Sequence, residues 1–114
     1  MQKIEVVLRS DCLQAVTEAL RNAKISPLQA SDVTLFYPDR APDGRYRGAV
    51  YSVGRERVKV ELLLPDHDIA FAIEAIRQGI DPCSGSEAEL LVLDVRNVVH
   101  LGTPRWERPA QAIG

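Results

Sequence analysis

Apolar and polar residues alternate in four stretches of the chain and recur at helical spacing in two others, and their order predicts the architecture. Over residues 3–9, Ile4, Val6 and Leu8 fall on one face and Glu5, Val7 and Arg9 on the other, the period of a strand. Ser10 is a good helix N-cap and Asp11 suits the positive end of a helix dipole. Leu13, Val16, Leu20 and Ala23 then predict a first helix, closed by Ser26-Pro27. A second strand is expected over 29–37, with Val33, Leu35 and Tyr37 sharing a face.

Residues 56–64 form the longest alternating run, Val58, Val60, Leu62 and Leu64 against Arg57, Lys59, Glu61 and Leu63. Pro65 cannot extend a strand ladder, and Asp66 is placed to cap a second helix through Ile69, Ile73 and Ile76. Gly79 suits a left-handed stop after that helix, and residues 89–95 form the fourth strand. Strand-helix-strand twice over predicts an α+β, ferredoxin-like split βαβ fold (βαββαβ) with both helices on one face of an antiparallel sheet. The other face is expected to carry Val7, Leu63 and either Leu90 or Val92 among Glu5, Lys59 and Glu61. A monomer does not leave that much apolar surface in water, so an oligomer is expected.

At 114 residues the chain is one domain, residues 1–100, with a Pro- and Gly-interrupted tail over 101–114. The net charge of -2 supplies no basic field and argues against nucleic acid as a partner. No apolar run reaches a membrane span and no signal-peptide pattern opens the chain, so a cytoplasmic protein is expected. Cys12 and Cys83 make no disulfide or zinc spacing and are expected to be free thiols. No catalytic triad, Walker loop or dinucleotide fingerprint is present, and neither His67 nor His100 pairs with a cysteine at ligand spacing. The chain is therefore expected not to be an enzyme and to hold no metal.

Between the second and third strands lies a loop over about residues 38–55, too long for a simple connection. Its polar, Pro/Gly-rich composition predicts mobility in the free protein. It contains Tyr46-Arg47-Gly48-Ala49-Val50-Tyr51, and the strand after it ends in Pro65-Asp66. This combination resembles the P-II signal-transduction family, and the similarity runs from Lys3-Ile4-Glu5 to Val98-Val99. The resemblance implies a cyclic homotrimer with ligand clefts between subunits. It assigns Tyr46, Arg47, Gly48, Ala49 and Tyr51 to the effector loop, or T-loop, through which such proteins engage a membrane transporter or enzyme. Tyr51 stands where some relatives carry a modified tyrosine.

The resemblance also implies an adenine-nucleotide site, drawn from Gln29, Leu35, Phe36, Tyr37, Arg57, Leu63, Ser84, Gly85, Ser86, Glu87, His100 and Arg105. Here the chain departs from the family pattern. The phosphate loop that usually reads Gly-x-x-Gly-Asp-Gly-Lys aligns with Cys83-Ser84-Gly85-Ser86-Glu87-Ala88-Glu89, so its lysine becomes Glu89. Two phosphate-binding arginines fall on His100 and Gly102, a magnesium-holding glutamine on Asp39 and its neighbouring arginine on Pro38, while Arg57 survives. Arg105 or Arg108, anchored by Trp106, are candidate substitutes. Each charge-assisted hydrogen bond contributes roughly 1.5–3 kcal/mol, so ADP or AMP is expected to be favoured over ATP as a regulatory ligand, with no tightly bound cofactor. Divergent relatives linked to inorganic-carbon uptake make bicarbonate a candidate second ligand. Alternative readings are a metal-tolerance trimer of the CutA type and a small anion-dependent hydrolase.

Overall fold

The computed structural model describes residues 1–51, 53–83 and 88–102, without the side chains of Val50 and Tyr51. Six strands and two helices follow in the order β1 (Gln2–Leu8), α1 (Leu13–Asn22), β2 (Gln29–Leu35), β3 (Gly44–Tyr46), β4 (Ala49–Tyr51), β5 (Arg55–Leu64), α2 (Ile69–Ile80) and β6 (Leu90–Asp94). The main sheet is antiparallel throughout, in the order β2-β5-β1-β6, and β3 and β4 form a separate hairpin. This is the expected ferredoxin-like βαββαβ fold, with one hairpin added.

Alternation along β1 and β5 places Ile4, Val6, Leu8, Val58, Val60, Leu62 and Leu64 on the face that the helices cover. Val16 and Leu20 of α1 and Ile69, Ala72, Ala75 and Ile76 of α2 close over them in one core. Fully burying a side chain such as Ile76 contributes about 1.5–3 kcal/mol, so this layer provides most of the driving force for the fold.

The helix ends differ from expectation. Neither Ser10 nor Asp66 caps with its side chain: each opens a short 3-10 turn, Ser10–Cys12 and Asp66–Asp68, ahead of its helix. The Asp66 carboxylate instead accepts from the Met1 ammonium at 2.8 Å. Helix α1 stops before Ser26-Pro27, where Lys24 takes a left-handed φ of 59°. The Lys24 and Ile25 N–H groups donate to the Arg21 and Leu20 carbonyls, a Schellman stop sealed by buried Ile25. Gly79 is no stop at all. It lies inside α2, where a Cβ would come within 2.6 Å of the Val16 backbone, so its small size sets the approach of the two helices.

Two further expectations are corrected. Glu5 pairs with Leu91 and Lys3 with Leu93, so Leu91 and Leu93 occupy the open face, and Leu90 packs against the core. Register decides this, because shifting a strand by one residue exchanges its faces. Cys12 and Cys83 are not free thiols but form a disulfide, with Cα atoms 6.0 Å apart. Their separation of 71 residues hides the pairing, which exists because packing brings the start of α1 to the end of α2.

Candidate functional site

The open face of the sheet collects the charged residues of β1 and β5. Lys3 lies 3.1 Å from Glu5 and 3.2 Å from Glu61, and Lys59 lies 3.1 Å from Glu61 and 3.7 Å from Glu5, closing a ring of alternating sign. The Lys59 ammonium and then the Lys3 ammonium hold the Glu61 carboxyl below its ordinary range. Glu5 and then Glu61 push the Lys3 ammonium above its ordinary value. Around the ring stand Leu63, Leu91 and Leu93, which are 43, 54 and 40% exposed.

Most of the candidate nucleotide residues that the structure describes lie at the two ends of β2 and β5. At one end Gln29 pairs with Glu61, and both join Leu63 and the post-β6 residues Val95, Asn97 and Val98 around a cavity of about 650 Å³. At the other end Leu35 pairs with Arg55 and Val33 with Arg57. There Arg57 shares a smaller cavity of about 190 Å³ with Ser10, Asp32 and Thr34, and donates to the Glu56 carbonyl at 2.7 Å. Phe36 and Tyr37 follow β2 at this end, both exposed, with the Arg40 guanidinium 4.0 Å from the Tyr37 ring centre. His100 is exposed just beyond Val98. The structure thus brings Gln29 and Leu63 together and separates them from Leu35 and Arg57. Ser84, Gly85, Ser86, Glu87 and Arg105 lie outside the described residues.

Glu61 and Asn97 were not singled out as lining this cavity by sequence. The only signal was that Glu61 alternates onto the same face as Leu63, and its meaning depends on which strand lies alongside.

Within the long loop, residues 44–51 form a hairpin. Arg47 and Gly48 form its two-residue turn with φ of 50° and 82°, the left-handed pair that matches strand twist. This turn pairs Tyr46 with Ala49 and Gly44 with Tyr51. At the base, the Asp43 carboxylate accepts from the Val53 N–H and lies 3.9 Å from Arg55. Gly54 fits against β2 only because it lacks a side chain: a Cβ there would meet the Thr34 methyl at 2.1 Å. Two cations, Arg45 and Arg47, and no acid stand within the hairpin. Tyr46 is exposed beneath the Arg47 guanidinium.

Among the described residues no group of three His, Cys, Asp or Glu is placed to hold a metal ion, and no helix is long and apolar enough to cross a membrane.

A four-stranded sheet with two helices on one face and a hairpin inserted between β2 and β5 defines an α+β domain of ferredoxin-like topology. No family model matches the chain. It is 31% identical over 104 residues to a nitrogen regulatory protein P-II of Mesorhizobium japonicum, covering 90% of this chain and 93% of that one. The P-II proteins of Rhodobacter capsulatus and Azospirillum brasilense show the same identity and coverage. The chain belongs to the P-II family of nitrogen regulatory proteins.

Proposed function

We propose that this P-II protein works as a homotrimer that binds an adenine nucleotide between subunits, ADP or AMP in preference to ATP, and controls a transporter or enzyme through its 44–51 hairpin. The observation that carries the proposal is the division of the candidate residues between two ends of one open face. Arg57 and Leu63 are six residues apart on β5, roughly 20 Å at strand spacing, so one small nucleotide does not reach both within a chain. A neighbouring copy, docked on the open face and rotated about an axis, would bring its Arg57 end to the Gln29 and Leu63 end of the first. In that arrangement the apolar cavity walls take the base and Arg57 meets the phosphates.

The preference for fewer phosphates rests on the cations. Arg57 is retained, but Glu89 stands where the family pattern has lysine and His100 and Gly102 stand where it has arginines. A third phosphate meets an added negative charge without those partners. Bicarbonate is the further signal we assign, as a small anion whose single charge suits so reduced a set. The basic hairpin tip suits an acidic surface on the regulated partner.

Calorimetry with AMP, ADP and ATP, with and without magnesium, tests the reading. AMP and ADP should bind more tightly than ATP, and magnesium should not reverse the order. Arg57→Ala should weaken all three by about tenfold or more, the loss of one charge-assisted contact. Tighter binding of ATP than of ADP would overturn the assignment.

A further inference from the structure

We propose that Cys12 and Cys83 form a reversible redox site, whose oxidant is a small-molecule disulfide of the glutathione class and whose reductant is the corresponding thiol. The two residues stand at different depths. Cys12 is fully buried in the core cluster, at the end of the turn that leads into α1. Cys83 is only half-buried, beyond the last turn of α2 and beside exposed Asp81 and Pro82. Cys83 is therefore the more accessible of the two and Cys12 is held in the core beside it, the arrangement of an attacking and a resolving cysteine. With Cα atoms 6.0 Å apart, the pair closes and opens without moving the helices.

A purely structural staple is the competing reading, and the fold argues against it. Disulfides of that kind serve small domains that lack a sufficient core, whereas here one continuous cluster spans both helices and the sheet. What the bond adds is local. It ties the end of α2 to the start of α1, at the end of the helix pair where Gly79 meets Val16. The backbone bonds described for the Cys83 segment are short-range, Asp81 N–H to the Arg77 carbonyl and Cys83 N–H to the Ile80 carbonyl. Ser10, two residues before Cys12, lines the cavity that contains Arg57, so the bond borders a proposed ligand site.

Closure proceeds by thiol–disulfide exchange. The Cys83 thiol loses its proton to solvent, and its thiolate attacks one sulfur of the small disulfide. A Cys83 mixed disulfide forms and the first small thiolate leaves. Cys12 attacks the Cys83 sulfur while its proton is relayed past the Asp11 carboxylate, whose oxygen is 3.8 Å from its sulfur, to the departing thiolate. The second small thiolate leaves, and both take up protons. Two protein thiols and one small disulfide become one protein disulfide and two small thiols, with two electrons passing to the reagent.

The test uses the full chain in a series of oxidised and reduced glutathione buffers. Alkylation and intact mass report the thiols, and amide exchange reports the Asp81–Cys83 segment. The mass should move from no adducts to two across the series. Exchange at 81–83 should quicken by about tenfold or more on reduction, while β1 is unchanged, as expected for local opening. Cys83→Ser should exchange rapidly in every buffer; should that variant not fold, the wild-type comparison decides alone. A pair that stays reduced in fully oxidised buffer, stays oxidised in fully reduced buffer, or switches without altering exchange would overturn the proposal. Neither readout involves nucleotide, so this result stands apart from the nucleotide assignment.

Discussion

At Gly79 the helix pair depends on a hydrogen atom. A Cβ there would lie 2.6 to 2.8 Å from the backbone and side chain of Val16, closer than packed carbons sit, so α1 and α2 would have to separate. Gly79→Ala should therefore lower stability by about 1–3 kcal/mol, even though alanine favours helix by up to about 1 kcal/mol. Urea denaturation decides between the two effects, and a neutral or stabilised variant would show that the helices give way at no cost. The sequence suggested a different role for this glycine, because a glycine near a helix end reads as a stop. Whether a neighbouring backbone crosses it is information that no local pattern holds. Cys12 and Cys83 have the same limitation: each looks solitary until the helices pack.

Among the elements, β1 and β5 carry the charged ring and with it a pH dependence of definite sign. Glu61 has its carboxyl held down by Lys59 and Lys3, so the stabilisation it gives is present above the unfolded carboxyl's titration and is lost as pH falls through the folded one. Lys3, raised by Glu5 and Glu61, contributes below the unfolded ammonium's titration and loses that contribution as pH climbs past it. Thermal stability should thus hold between about pH 4 and pH 10 as far as the ring is concerned, and decline on the acid side. Glu61→Gln should flatten that acid decline; an unchanged melting profile between pH 3 and pH 5 would mean the ring contributes nothing. Alternation placed these four residues on one face of their strands, but that Lys3 stands across from Leu93, and Glu5 from Leu91, came from strand pairing.

For the molecule as a unit, the open face is the feature that points beyond one chain. Leu93 lies on it opposite Lys3 and outside the residues that line the larger cavity, so it separates assembly from ligand contact. Leu93→Glu should shift the protein from the proposed trimer towards monomer, because a carboxylate buried in an interface without a partner costs several kcal/mol. Light scattering reads the mass directly, and a wild-type protein at monomer mass would remove the basis of the intersubunit cleft.

The sequence by itself determined the order of the four main strands and two helices, the apolar faces of β1, β5 and the helices, and the length and residue content of the long loop. These follow from periods of about two and 3.6 residues and from turn chemistry, which act over a few neighbours. The Arg47-Gly48 turn was not among these, although glycine tolerates the left-handed backbone such turns require. The tertiary structure alone decided the partner of each strand face, the Gly79 contact, the union of Cys12 with Cys83, and the placing of Gln29 beside Leu63 at the larger cavity. Each of these is a relation between residues far apart in sequence, set by register and helix packing, and local patterning carries no record of which distant surface will arrive.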